Sequence, residues 1–402
     1  MCAWSGIEVT MQDLPVSPAD IYQAYLDCRK RKQKKRGAVK FEKFSLHNCI
    51  VLADEINRRR YRVRPSQCFV VEYPVAREVF CAAFRDRVVQ HFVYNELNPV
   101  IEKILINDTC SCREGKGTDY ALRRLSRFIR KETLNWTDLN AWAYKLDIAG
   151  FFMNIDRNLL LDMVLYVVWN LYEGPYRKVL DYLVRIIILT DVTINCQLIC
   201  PKEKWNLLKP GKSLFGNKYG LPIGNISSQL FANFHLNEID HFVKSRHSSY
   251  VRYVDDMVIV DRDNERLKET VDQIRMMLPE LHLRLNEHKS HIFPVKYGVS
   301  FLGVKVKPFY SVLDGRRIDR IWHSLESFLD PYAAFCSAAS RKGMFNRYKG
   351  RSISARWYKA FPENIRATVK MDSDSTFRYV GPSRKRDNTK VIEIDAAGTA
   401  EE

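Results

Sequence analysis

Tyr253-Val254-Asp255-Asp256 lies between two apolar runs, Tyr250 to Val254 and Met257 to Val260. An apolar strand, a tight acidic turn and a second apolar strand describe a β-hairpin that lifts carboxylates to the rim of a sheet without burying them. Two carboxylates in that place can hold cations. The ordinary alternative is an Asp-Asp hairpin turn with no chemistry, because aspartate favours turns through its own local hydrogen bonds.

A second site upstream shifts the balance. Ala143-Tyr144-Lys145-Leu146-Asp147-Ile148-Ala149-Gly150-Phe151-Phe152 is a short strand-like run that ends in one acid and continues into a glycine and two aromatics. Asp147 and Asp255 are expected to meet across adjacent strands. Nucleotidyl transfer uses two divalent cations roughly 4 Å apart, one activating the attacking 3′-hydroxyl and the other holding the triphosphate and the leaving pyrophosphate. Carboxylate oxygens are hard ligands that suit magnesium.

A strand-Asp-x-x-x-x-Phe followed about a hundred residues later by Tyr-Val-Asp-Asp resembles the palm of a reverse transcriptase. The resemblance implies an α+β fold of the right-hand polymerase kind, with fingers, palm and thumb, and an RNA-directed DNA polymerase activity. It also implies that Asp147 and Asp255 hold two Mg2+ ions, with Mn2+ as a possible substitute, that the backbone carbonyl of Ile148 binds one of them, and that Asp256 acts less directly. Phe152 stands where reverse transcriptases place a ring under the sugar of the incoming nucleotide, so it would collide with a 2′-hydroxyl and select deoxynucleotides. Phe151 is expected in the core.

Length and composition agree. The chain has 402 residues, 46% of them hydrophobic, enough for a large core or two to three lobes. A net charge of +17 and a pI near 9.4 suit a polyanionic partner, because Lys and Arg neutralise phosphates and release counterions. Twenty tyrosines and 21 phenylalanines offer stacking platforms for bases, although most are expected in the core. Ten cysteines form no zinc or disulfide framework and read as reduced thiols. Residues 1–10 carry no signal-peptide pattern, and the longest apolar stretch, Leu159 to Tyr172, is broken by Asp162 and Asn170, so a cytoplasmic protein without membrane contact is expected.

Ala19 to Lys30 reads as a helix running into Arg29-Lys30-Arg31-Lys32-Gln33-Lys34-Lys35-Arg36, seven of whose eight residues are basic. That run is either a solvated charge cluster or a contact to RNA or an acidic partner. Phe41 to Tyr61 reads as a second helix, Gln67 to Tyr73 as a strand, and Ala76 to Gln90 as a strand entering a helix. The last segment is similar to the fingers of bacterial reverse transcriptases, in which the first arginine reaches the triphosphate and an Arg-Asp-Arg follows eight residues on. Arg77 and Arg85-Asp86-Arg87 fit that spacing, which makes Arg77 a nucleotide ligand able to grip phosphate through two donors and Arg85 a template or primer contact. Val71 stands where the family often has a lysine.

Cys112-Arg113-Glu114-Gly115-Lys116-Gly117-Thr118 opens the amphipathic helix Tyr120 to Arg130 and is not a nucleotide-hydrolase phosphate loop. Its glycines would let backbone amides approach a phosphate. The string is frequent in bacterial reverse transcriptases, which makes Arg113 and Lys116 template contacts. Tyr219-Gly220-Leu221-Pro222-Ile223-Gly224-Asn225-Ile226-Ser227-Ser228-Gln229 leads, through a cap at Asn225 or Ser227, into a helix reaching Val243. In a palm this turn lies beside the nascent base pair, which places Ile223 and Gln229 at the nucleotide.

Many reverse transcriptases have glutamine where this chain has Ile223. The form Ile-Gly-x-x-x-Ser-Gln marks enzymes of diversity-generating retroelements and related bacterial enzymes of antiviral defence. Losing one polar probe removes about 1 kcal/mol of net hydrogen bonding and predicts lower fidelity. Equal error rates for the wild type and Ile223→Gln would refute that.

Leu283 to Ser290 matches the region where polymerases carry a lysine near the leaving pyrophosphate, so Lys289 is a candidate general acid. Val299 to Val306 reads as two strands around Leu302 and Gly303, like the family's grip on the primer end. The Val-Thr-Gly signature of retron enzymes is absent there. The basic, helical Arg316 to Arg366 looks like a thumb tracking a duplex by its phosphates.

The expected domains are a basic helical extension over 1–64, fingers over 65–142, a palm over 143–306 with part of the fingers interleaved, a thumb over 307–371 and a disordered tail over 372–402. Expected partners are an RNA template, a DNA product or RNA/DNA hybrid, deoxynucleoside triphosphates, and either a small accessory protein or a second polymerase subunit. The competing readings are an idle RNA-binding scaffold, against which the intact carboxylates and Phe152 speak, and an RNA-directed RNA polymerase, from which Phe152 discriminates.

Overall fold

A computed structural model of the chain describes residues 13–381 apart from 31, 73–74, 308 and 326–329. The chain divides into two compact units, Met1–Tyr297 and Gly298–Glu402. The expected start at residues 1–10 and the tail from 382 onward lie outside the described residues.

In the first unit, helices α1 (Pro18–Arg29), α2 (Arg36–Glu42) and α3 (Ser45–Asn57) precede the hairpin β1 (Gln67–Val71) and β2 (Arg77–Cys81). Next come α4 (Phe84–Ile104), α5 (Thr118–Glu132), β3 (Trp142–Asp147), α6 (Phe151–Asn154), α7 (Arg157–Tyr166), α8 (Arg177–Leu189) and β4 (Gln197–Leu198). The unit closes with α9 (Ile226–His235), α10 (Asn237–Arg246), β5 (Tyr250–Tyr253), β6 (Asp256–Asp261), α11 (Asn264–Met277) and β7 (His291–Pro294).

Four strands form an antiparallel sheet in the order β5-β6-β3-β7. Alternation along the strands sends Tyr144, Leu146, Tyr250, Met257 and Ile259 into one continuous core with buried residues of α4, α7, α8, α9, α10 and α11. Such burial of large side chains, at about 25 cal/mol per Å² of apolar surface, is the main force holding the sheet under its helices. A smaller sheet, β2-β1-β4, recruits residues 197–198 from far along the chain.

Two expected helices are each broken in two. The helix expected over 41–61 ends at Glu42 and restarts at Ser45, after Phe44 turns out of helical geometry and Asn48 caps the Phe41 carbonyl through its side-chain amide. It stops at Asn57, whose amide group bonds both the backbone N–H and the carbonyl of Val16. The helix expected up to Val243 breaks at Leu236, between α9 and α10. Asn225 is its N-cap residue, but its side chain makes no capping bond.

The second unit contains β8 (Val299–Phe301), β9 (Val304–Val306), β10 (Ser311–Leu313), helices α12 (Gly315–His323), α13 (Pro331–Arg347), α14 (Arg351–Lys359) and α15 (Glu363–Thr368), and the hairpin β11 (Val369–Met371) and β12 (Phe377–Tyr379). Its core centres on Trp357, whose indole N–H donates to the Ile321 carbonyl at 2.8 Å, with Phe345, Phe361 and Phe377 around it. Two expected boundaries change. The unit begins at Gly298 rather than 307, because β8, β9 and β10 form one sheet, and the tail does not begin at 372, because Phe377 is buried in this core. Among the described residues no helix is long and apolar enough to cross a membrane.

Candidate active site

Asp147 ends β3 and pairs in register with Asp256, the first residue of β6. Antiparallel partners point to one face. Because Leu146 and Met257 face the core, Asp147, Asp256 and Lys145 share the opposite face. Asp255 sits in the two-residue loop Val254-Asp255, since Tyr253 pairs with Asp256. Val254 has φ 59°, a left-handed conformation that β-branched residues rarely adopt. Strain of that kind collects at functional turns and persists only where the surroundings impose it.

The three carboxylates crowd one another. Burial, then the charges of Asp256 and Asp147, push the Asp255 carboxyl up to about 6. Burial also raises Asp256, against the pull of Lys145, whose Nζ lies 3.5 Å from its Oδ1. Asp147 accepts from Lys289 Nζ at 3.1 and 3.2 Å and from the Asn286 side chain at 2.9 Å. Its backbone is fixed by Ser290 Oγ and by the Asn286 N–H. Mutually repelling, half-buried hard oxygens are a donor set whose charge a divalent cation neutralises, so these residues fit such an ion. Among the described residues no three His, Cys, Asp or Glu side chains converge as a finished ligand cage, and the nearest cations are the two lysines.

Ile148 is buried and its backbone bridges to Leu285, while Ala149 N–H donates to the Arg284 carbonyl. Gly150 turns the chain with φ 58° into α6, which carries Phe151 in the core and Phe152 half-buried, ring against ring at 5.6 Å. Phe152 packs against the cluster Cys68, Phe80, Met153 and Leu214, which Ile223 also lines.

The turn from 220 to 225 is tied to both neighbours. The Leu221 N–H donates to the Phe152 carbonyl, and the Phe80 N–H donates to the Ile223 carbonyl at 2.9 Å. Gly224 has φ 122°, and a β-carbon there would stand 2.7 Å from the Phe80 carbonyl oxygen, so only glycine allows strand β2 to approach this closely. Phe152 and Ile223 are thereby brought together beside β2. Arg77, at the start of β2, is exposed and makes no ion pair among the described residues. Gln229 is exposed on α9.

Two expected contacts differ. The Arg85 guanidinium pairs with Glu55 and covers the Tyr61 ring, and its side chain is only 12% exposed. Arg113 grips Glu102 through Nε at 2.8 and 2.9 Å and donates to the Ile106 and Thr109 carbonyls, which leaves it 6% exposed. Arg85 therefore ties α4 to α3, and Arg113 ties its loop to the end of α4, rather than facing a nucleic acid. The Lys116 ammonium donates to the Asn107 carbonyl and lies over Tyr120, beside an open cavity lined by Gly115, Gly117, Thr118 and Arg123.

Leu302 and Gly303 both have positive φ and form the tight turn between β8 and β9. The Leu302 carbonyl accepts from Arg317.

Sequence reading passed over Lys145, Asn286, Ser290 and Lys212. The Lys212 ammonium reaches Gly150, 3.5 Å from where a β-carbon would stand. Only Lys145 carried a signal, since period-two alternation places it on the face of Asp147.

A family model described as Reverse transcriptase (RNA-dependent DNA polymerase) matches residues 76–306. Protein YkfC of Escherichia coli (strain K12) is 22% identical over 298 residues, covering 63% of this chain and 69% of that protein. Among solved structures, apo telomerase from Candida Tropicalis is 12% identical with a TM-score of 0.44, covering 74% of this chain and 58% of that one. Telomerase from Candida albicans in complex with a TWJ fragment of telomeric RNA is 12% identical with a TM-score of 0.41, covering 74% and 54%. The chain thus spans little more than half the length of these telomerases.

Proposed function

Since more than half of the chain matches it, this protein belongs to the reverse transcriptase family, RNA-dependent DNA polymerases with a right-hand fold, and we propose that it extends a 3′-hydroxyl with deoxynucleotides along an RNA template. The observation that carries this reading is the register pairing of Asp147 with Asp256 beside the Asp255 turn, with Asp255 raised by burial and by its neighbours' charges. We assign the fingers to 65–142 together with 197–198, the palm to the sheet of β3, β5, β6 and β7, and the thumb to the second unit.

Asp147, Asp255 and the carbonyl of Ile148 would hold two Mg2+ ions, with Asp256 less direct. The ions supply activation of the attacking hydroxyl and charge neutralisation on the triphosphate. The 3′-oxygen, its proton passing to solvent, bonds to the α-phosphorus as the bond to pyrophosphate breaks. Lys289, already beside Asp147, gives its proton to the departing pyrophosphate. Arg77 grips the triphosphate, Phe152 excludes the 2′-hydroxyl, Ile223 and Gln229 border the nascent pair, Lys116 and the Gly115–Gly117 turn meet the template, and Leu302-Gly303 supports the primer end.

The Ile223-Gly224 form of the turn supports an enzyme that copies a dedicated non-coding RNA, in antiviral defence or in a diversity-generating retroelement. A variable repeat beside the gene assigns the second role, and a small accessory protein belongs with it. The cytoplasm is the compartment that a chain of reduced thiols would suit.

The deciding experiment is radiolabelled deoxynucleotide incorporation by purified protein with Mg2+ and co-purifying RNA, beside Asp255→Ala Asp256→Ala. Label entering nuclease-sensitive DNA only with both carboxylates present supports the reading, and sequencing that product identifies the template. No incorporation by the wild type with its native RNA overturns it in favour of an RNA scaffold.

A further inference from the structure

Arg252 is a charged residue within the apolar strand β5, and alternation turns it toward the core. It is fully buried, as is its partner Asp240 on α10. Burying a guanidinium is costly unless every donor is used. Nε donates to Asp240 Oδ1 at 2.7 Å, and Nη2 donates to Asp240 Oδ2 at 2.5 Å and to the Asn233 carbonyl at 2.8 Å. Tyr250 and Thr109 hydroxyls, each at 2.7 Å, fill the remaining acceptor sites of that carboxylate and lock it in place.

Nη1 is used differently. It donates to the carbonyl oxygen of Val254 at 3.0 Å. That oxygen belongs to the peptide plane joining Val254 to Asp255, and because the plane is rigid, fixing the oxygen fixes the amide from which Asp255 springs. The same plane follows a valine at φ 59°, which relaxes toward ordinary backbone unless something restrains it. Packing alone would need only the Asp240 and Asn233 bonds.

We infer that Arg252 is a positioning residue of the polymerase, whose guanidinium, anchored on Asp240, clamps the Val254 carbonyl and so holds Asp255 at the rim of the sheet. This rests on the functional reading above. Lysine at 252 would keep the charge against Asp240 but lacks the fork that reaches Val254 as well.

The test uses the full chain as Arg252→Lys and as Arg252→Met Asp240→Asn, the latter removing both buried charges while leaving an amide for Tyr250 and Thr109. Each is followed by thermal melting, Mn2+ binding by electron paramagnetic resonance, and steady-state deoxynucleotide incorporation. The expected result is a kcat lowered by about ten- to hundredfold, the range of one charge-assisted hydrogen bond, with KM for deoxynucleotide little changed and Mn2+ bound more weakly.

Val254→Gly, which takes the turn's φ without strain, should return part of the loss in Arg252→Lys, as it would not for an arginine that merely packs. Wild-type turnover and Mn2+ affinity in a variant that melts normally would overturn the inference. If the double variant does not fold, Arg252→Lys decides alone. A wild type that binds Mn2+ but incorporates nothing defeats the functional reading, while the Mn2+ comparison still judges the clamp.

Discussion

Asp147 and Asp256 face each other in register across β3 and β6, and each already holds a lysine, Lys289 at 3.1 Å and Lys145 at 3.5 Å. The rim is therefore a patch of negative charge partly offset by two lysines on long stems. Lysine can leave a carboxylate when a more highly charged cation arrives, because its single charge competes poorly with a dication for hard oxygen.

Asp147→Asn and Asp255→Asn are each expected to lower deoxynucleotide incorporation by about a thousandfold or more, the scale of losing several kcal/mol of charge stabilisation. Neither should lower the melting temperature, since each removes a charge from a crowded cluster. Parallel activity and calorimetry check this, and a melting loss of many degrees would count against a functional cluster.

Phe152→Ala should open the half-buried wall beside Ile223 and raise ribonucleotide incorporation relative to deoxynucleotide by about tenfold or more. Competition between labelled dNTP and rNTP measures the ratio. An unchanged ratio means that the ring serves packing alone.

Arg77 and Arg113 should separate cleanly. Arg77 is exposed and free of ion pairs among the described residues, so Arg77→Ala is expected to raise KM for deoxynucleotide about tenfold without a change in melting. Arg113 is enclosed by Glu102 and two carbonyls, so Arg113→Ala should destabilise the fold by about 3 kcal/mol. Denaturant titration and nucleotide titration of both variants test the contrast, and exchanged outcomes would return Arg113 to the template.

Asp261, at the end of β6, is buried and predicts a pH dependence. Burial opposes its ionisation, but bonds from His247 Nδ1, Arg266 and the Asp263 N–H outweigh it and hold the carboxyl well below its ordinary value. A depressed carboxylate stabilises the fold above its unfolded pKa of about 3.9 and loses that contribution as pH falls toward the folded value. Asp261→Asn should therefore cost about 2 kcal/mol at pH 7 and progressively less below about pH 4. Urea melts at pH 7 and pH 3.5 measure this, and an equal penalty at both would exclude the linkage.

Local pattern carried much of the molecule. Period-two alternation ending in Asp147 and the apolar-acidic-apolar run at Asp255 mark the strands and the turn, because strand periodicity and turn chemistry are written in consecutive residues. Helix breaks at Lys43-Phe44 and Leu236 were not legible, since packing against distant elements decides them and the sequence stays compatible with a continuous helix on either side.

By itself the sequence determined which residues are acids at strand ends, where glycines permit close approach, and that the chain is strongly basic. Only the tertiary structure decided which charges are spent inside. Arg85 and Arg113 look identical to Arg77 in the chain, yet Glu55 and Glu102 consume them, and Arg252 reads as one flaw in an apolar strand until Asp240 and the Val254 carbonyl close around it. The physical reason is that a charged side chain's role is set by the partner that desolvates it, and that partner is brought by the fold rather than by neighbouring sequence.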